Sequence, residues 1–404
     1  MLNSIWYFIQ MMIRGLIMYK VPRLILVQIV GAMFTLLSAT TLAEQSLNLQ
    51  KTWQFQTQGS IWSSIVVNKN RAFFGSDDGY IYALDLDDKK EYWKFKTDGK
   101  VRSTASFDKH NIYVSSDDGY LYAIKQENGK LAWKTSLNDG LVERIEPAKS
   151  APYRYDYGKS SPIIVGTMLY VGSADHHMYA ISKDTGKIKW KFKTNNIIRA
   201  TPVYHQGMIY FGSRDNYLYA VNAETGQEEW KWLAYNVIVS SAAIIEETLI
   251  VGSRDTYIYA LDPYSGDLIW EHRFIDNSWV ESTAIQGEEQ GVLYIGSSDS
   301  KRILKLDLST GKKIWSAPTL GWTWPKPFIY DKVVYIGSTG AEGYWNNVQP
   351  GFIGVDTATG KLKKQYTPHT SGGYVTGGVF GSPAVYKNKL YVPDLDGYIY
   401  EFNL

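Results

Sequence analysis

The sequence predicts an all-β protein: an eight-bladed β-propeller of four-stranded antiparallel blades, with the N-terminal strand closing the last blade. Three observations carry this. A motif recurs about every 40 residues, hydrophobic alternation divides each repeat into short strands, and the first and last units are incomplete in complementary ways.

The recurring motif begins at Gly75 (GSDDGYIYALD), Ser115 (SSDDGYLYAIK), Gly172 (GSADHHMYAIS), Gly212 (GSRDNYLYAVN) and Gly252 (GSRDTYIYALD). Looser copies begin at Gly296 and Gly337, and the last begins at Pro393 (PDLDGYIYEFN), which makes eight. A second signature follows the first: an Ala, an Asp or Asn, Thr-Gly, and a Trp ten residues after the Ala, as in Ala180 to Trp190 and Ala220 to Trp230. These Trp fall at 53, 93, 133, 190, 230, 270 and 315; the eighth equivalent position is Lys364, with Tyr366 nearby as a substitute.

Within a repeat, Tyr80, Tyr82 and Leu84 alternate with their neighbours, so alternate side chains face opposite sides of a strand packed between two sheets. Four strands are expected per unit, near 160–163, 169–172 and 178–181 and at the Trp in the third repeat. The first is rich in Ser, Thr, Ala and Pro, small enough for eight strands to converge on an axis. Asp184-Thr185-Gly186-Lys187 reads as the turn into the Trp strand, with Gly186 taking positive φ. The Asp of the first motif, such as Asp175, Asp215 and Asp255, is expected to bond nearby backbone in its turn. Four-stranded units repeated radially are propeller blades. The chain ends within a third strand at Leu404, while 51–58 holds a Trp strand with no third strand before it. The two ends should therefore complete one blade and leave no open edge.

Composition agrees. Of 404 residues, 31 are Tyr, 14 Trp and 35 Gly, suiting short strands and tight turns. A formal charge of +2 offers no field to gather nucleic acid. The absence of Cys excludes disulfides, thiolate metal sites and attachment as a Cys-anchored lipoprotein. Lys20 and Arg23, the apolar run 24–37 and the small residues 38–43 have the order of a secretory signal peptide. We expect 1–43 to be signal, with cleavage after Ala43 and Met18 as the true start. The domain 44–404 would then be exported, without a membrane span of its own, and would act as a monomer.

The Ala, Asp, Thr-Gly and Trp pattern resembles the tryptophan-docking motif of the pyrroloquinoline-quinone (PQQ) repeat family, over 51–404. That resemblance implies the propeller fold and two kinds of activity. Members include quinoprotein alcohol dehydrogenases, which use PQQ with calcium, and non-enzymatic outer-membrane assembly factors of the BamB type. The dehydrogenases carry adjacent cysteines beside the quinone, and this chain has none. Nor does the sequence identify the calcium-binding Glu, Asn and Asp set. The resemblance thus implies a non-catalytic scaffold for protein contacts in the cell envelope, periplasmic or outer-membrane-associated. The alternative is a PQQ-dependent oxidoreductase or a sensor of small anions.

Residues that differ between repeats at one equivalent position are not demanded by the scaffold. Aligning the innermost segments WSSI, RSTA, KSSP, RATP, VSSA, ESTA, WTWP and FGSP places Trp62, Arg102, Lys159, Arg199, Val239, Glu281, Trp322 and Phe380 in one ring at the channel mouth. Three successive cations opposite three aromatics suit a planar anion, with Glu281 as an internal counter-charge. Extra length lies in 138–158, 339–351 and 366–378, connections that should share the face of this ring. Tyr153, Tyr155, Tyr157, Tyr344 and Trp345 are their candidate anchors for envelope proteins or peptides. The six His are scattered, His176-His177 lacks metal-ligand spacing, and no phosphate loop occurs.

Overall fold

The computed structural model describes residues 48–138, 159–341, 350–368 and 375–404. The expected signal segment and the five loop aromatics Tyr153, Tyr155, Tyr157, Tyr344 and Trp345 lie outside the described residues. Leu49–Leu404 forms one compact unit.

Eight antiparallel sheets make up the described propeller. Blades 1 to 7 span 66–96, 106–136, 163–193, 203–233, 243–273, 285–318 and 328–366, and each runs from its inner to its outer strand in chain order. Blade 8 is built from both ends of the chain. Its three inner strands come from 384–403, and the outer strand is Lys51–Gln56, paired with Tyr398–Asn403 so that Trp53 stands opposite Glu401. The incomplete ends read from the sequence therefore close the ring.

Burial follows strand position. In Met168–Gly172 and His177–Ser182 the central residues are buried on both faces, whereas the outer strand Ile188–Lys193 alternates exposed and half-buried side chains. The middle strands lie between neighbouring blades, so the hydrophobic core is a set of layers. One layer joins Tyr170, Met178 and Ala180 of blade 3 to Ile209, Phe211, Tyr219 and Val221 of blade 4. The inner strands are shorter and start later than expected, at Ile163 rather than 160 in blade 3. The three or four residues before them line the axis as extended chain outside the ladder.

Each docking Trp reaches the next blade. Trp93, Trp133, Trp190 and Trp270 donate from Nε1 to the carbonyls of Gln126, Lys183, Ala223 and Leu308 at 2.8, 3.0, 3.0 and 2.7 Å. The ring lies on the Thr-Gly turn of that blade. Gly226 takes φ +73°, and a Cβ there would sit 2.6 Å from Cδ2 of Trp190. The Gly thus supplies both the left-handed backbone and the flat seat. Lys364 occupies the Trp position of blade 7 opposite Gly354, and Tyr366 packs on Tyr400 and Phe402 of blade 8 in its place.

One element was not foreseen. In blade 7 the strand Val333–Ala341 outruns its neighbours and pairs beyond the blade with Val375–Gly378. Two of the three long connections are thereby joined on one face.

Candidate functional site: the channel and its loop face

Trp62, Arg102, Lys159, Arg199, Val239, Glu281 and Phe380 line one central cavity of about 450 Å³. The position predicted for Trp322 belongs instead to Trp324. Where it is described, the residue before a ring residue donates its backbone N–H to a carbonyl of the preceding blade: Val101 to Ser76, Ile198 to Ser173 and Val379 to Ser338. In blade 7 this donor is Thr323, bonded to Ser297, so Trp324 follows it into the ring. Trp322 lies two residues upstream, bridged to Thr339, with Nε1 on Asp299 at 2.7 Å and its ring stacked on Trp324 at 4.9 Å. The slip arises because Pro325 and Pro327 both resemble the proline of KSSP and RATP. Pro327 is the true equivalent.

The aromatic residues form a continuous arc. Trp324 meets Phe380 at 6.3 Å and Phe380 meets Trp62 at 5.1 Å, both edge to face, and the Arg102 guanidinium lies 5.6 Å from the Trp62 ring.

Charge at the mouth is largely balanced between blades. The Arg102 guanidinium grips Asp77 in a fork, with Nε to Oδ1 at 2.8 Å and Nη2 to Oδ2 at 2.9 Å. Lys159 reaches Asp117 at 3.1 Å, and Arg254 reaches Glu281 at 2.7 Å with the polarity reversed. Trp324 keeps the pattern by donating to Ser298 Oγ at 3.0 Å. In each pair one partner is the third residue of the GSxD turn and the other is the ring residue of the next blade. Arg102 and Lys159 are therefore held as buried ion pairs, and Glu281 balances Arg254 rather than a ring cation. Beside Arg199, the corresponding turn position is Ala174. Each pair joins opposite charges of adjacent repeats, 25, 42 and 27 residues apart, a spacing too irregular to identify them without the blade contact.

Two residues deeper runs a belt of small polar side chains. Backbone N–H groups donate across blades to hydroxyl oxygens: Ser382 to Ser64, Ser64 to Thr104, Thr104 to Ser161, Ser161 to Thr201 and Thr201 to Ser241, all at 2.9 or 3.0 Å. Thr283 continues the layer, and in blade 7 its place is taken by Lys326. The small residues expected at the axis thus also stitch the inner segments together.

The outer-to-inner connections and the GSxD turns emerge on one face and bond each other. Asp78 accepts from Tyr80 N at 3.0 Å and from the Tyr82 hydroxyl at 2.7 Å within its own blade. It also accepts from Gln58 N at 3.1 Å in the neighbouring connection, as Asp215 does from Asn195 and Asp255 from Tyr235. Burial and the Asp78 carboxylate push the Tyr82 phenol well above its usual pKa, which keeps it a donor. On this face, connections that carry Asp98 and Asn195 elsewhere carry Tyr235 and Ile275, which are 85% and 93% exposed.

This arrangement matches a known family. The family model described as outer membrane protein assembly factor BamB matches residues 45–160, 154–278 and 254–404. The chain belongs to the BamB family. Among solved structures, BamB from Moraxella catarrhalis is similar at 14% identity, with a TM-score of 0.66 over 88% of this chain and 100% of that one. Quinohemoprotein alcohol dehydrogenase from Comamonas testosteroni is similar at 12% identity, TM-score 0.65, over 88% of this chain and 76% of that one. A europium-containing methanol dehydrogenase gives 15% identity and TM-score 0.65, over 85% and 84%. At such identities the likeness is one of fold. No curated protein matches the chain by sequence.

The quinoprotein neighbours raise the fit of a quinone and its metal. Calcium takes six to eight oxygen ligands, usually several from carboxylates. The carboxylate on the channel lining is Glu281, already bound to Arg254, and the described residues contain no cluster of three acidic or His side chains able to hold a metal ion. The described channel residues do not fit a quinone and calcium pair. Nor do the described residues contain a helix long and apolar enough to cross a membrane.

Proposed function

We propose that this BamB-family propeller is an exported, non-catalytic scaffold that holds other envelope proteins against its loop-rich face. The observation that carries the reading is the pair Tyr235 and Ile275. They occupy equivalent positions in adjacent connections, where the repeat has Gln58, Asp98, Asn138 and Asn195 in the preceding blades, and expose large side chains on the face that also bears the long connections. A rigid disc that spends exposed apolar area at equivalent points of one face is suited to binding protein. Export rests on the signal-like segment 1–43, and an outer-membrane assembly role rests on the family.

Photo-crosslinking residues placed at Tyr235 and Ile275, and as a control at Lys130 on the rim, test the reading in cells. Crosslinks to outer-membrane assembly proteins from the first two positions alone support it. Equal yields from Lys130, or no protein adduct from any position, overturn it.

A further inference from the structure

We propose that the channel contains an oxyanion site below its mouth, formed by Lys326 and the belt hydroxyls, and that its ligand is a small carboxylate. The inference is independent of the scaffold reading.

The belt is unusual in how its hydrogen bonds are committed. Thr104, Ser161, Thr201 and Ser241 each use an oxygen lone pair to accept a backbone N–H from the neighbouring blade. Their O–H groups find no acceptor among the described residues and are left to donate toward the axis. The layer therefore offers donors, and no carboxylate belongs to it. Lys326 completes it where the other blades have a hydroxyl, and no hydrogen bond or charge among the described residues acts on its ammonium. Among the charges one layer above, Arg102, Lys159 and Glu281 are matched by Asp77, Asp117 and Arg254.

Lys326 is exposed to the water of the channel, so an anion that enters meets a cation with no protein counter-charge to displace among the described residues. Partial desolvation by the channel wall lowers the Lys326 pKa. Pro325 and Pro327 fix the backbone on either side, so little order is lost on binding. One ammonium with several neutral donors matches a single negative charge. That stoichiometry favours a carboxylate over a phosphate, and a cavity of about 450 Å³ has room for one with a short organic tail.

The test uses the full propeller with acetate as probe, and phosphate and chloride as comparison anions at equal ionic strength. Calorimetric titration should show saturable acetate binding, weakened about tenfold or more in Lys326→Met. With reductively methylated lysines labelled with carbon-13, the Lys326 resonance should move on acetate addition and its titration should shift to higher pH. This second readout uses the native chain and stands even if the variant folds poorly. Equal acetate affinity in the native and Lys326→Met proteins, or a Lys326 resonance indifferent to acetate, would overturn the site. Tighter binding of phosphate or chloride than of acetate would overturn the assigned ligand class.

Discussion

Glu401, in the last strand of the chain, accepts a 2.8 Å hydrogen bond from the ammonium of Lys89 in blade 1, across the seam where the ring closes. Its carboxylate is fully buried and also accepts from Thr52 Oγ1 at 2.6 Å and the Tyr391 hydroxyl at 2.8 Å. Between blades 1 and 7 the seat for each Trp is a Gly in the left-handed region; here Lys89 holds that conformation at φ +54°. At the closing seam Trp53 keeps its place against blade 1, while Lys89 replaces the Gly, adds an ion pair to a buried carboxylate and accepts backbone strain in doing so.

Lys89→Met should cost about 3 kcal/mol, because it strands a buried carboxylate, and Glu401→Gln should cost less, because the released ammonium can turn to solvent. Burial alone would raise the Glu401 pKa, but Lys89, Thr52 and Tyr391 together hold it below its ordinary value. Its contribution is present above the unfolded carboxyl range and is lost as pH falls through the depressed value. Denaturant melts between pH 3 and 7 should show a loss on acidification that Glu401→Gln flattens. An unchanged pH profile in that variant would contradict the assignment.

Asp394 presents the opposite case. It stands where the other blades have Ser76, Ser116, Ser173, Ser213, Ser253, Ser297 and Ser338. Its side chain is fully buried, with Oδ1 accepting from Asp396 N at 2.8 Å and Oδ2 without a partner among the described residues. Burial, aided by the Asp396 charge, raises its pKa well above the ordinary carboxylate value despite the Asp396 N–H. The folded protein therefore holds a proton that the unfolded chain releases, and stability falls as pH rises above about 4. Asp394→Ser should stabilise at pH 7 by about 1 to 2 kcal/mol and bring little gain at pH 4, as read from melts at both pH values.

The Trp190 ring and Gly226 form a matched pair. Trp190→Ala should cost about 3 to 5 kcal/mol through the cavity it leaves. Gly226→Ala should cost about 1 to 2 kcal/mol from the left-handed backbone, and more because its Cβ meets the ring. Once the ring is gone only the backbone strain remains. The double variant should therefore be more stable than the sum of the single losses predicts, a coupling that equilibrium denaturation measures directly.

Deleting 49–58 should open blade 8. Tyr398–Asn403 would lose its partner strand and expose an edge, giving a lower melting temperature and aggregates on gel filtration. An unchanged melt and a monomeric profile would show that closure contributes little.

Most of the architecture was legible from residues close together in the chain. The GSxD and Thr-Gly turns mark each blade, the Trp at the tenth position marks each docking contact, and the incomplete ends announce the closure, because all of these repeat at fixed local spacing. The site was legible only in part. Seven of the predicted ring residues line the channel, while Trp322 yields its place to Trp324, since two prolines two residues apart both satisfy the local pattern and depth along the axis is set by the bond from Thr323 to Ser297.

By itself, then, the sequence determined the number of blades, their strand content and the way the ring is shut, because strand periodicity and turn chemistry act over a few residues. Tertiary structure alone decided which charges neutralise each other, as with Arg102 and Asp77, and which have no partner among the described residues, as with Lys326. Those outcomes depend on contacts between blades, and a pairwise electrostatic contact has no period for a single repeat to display.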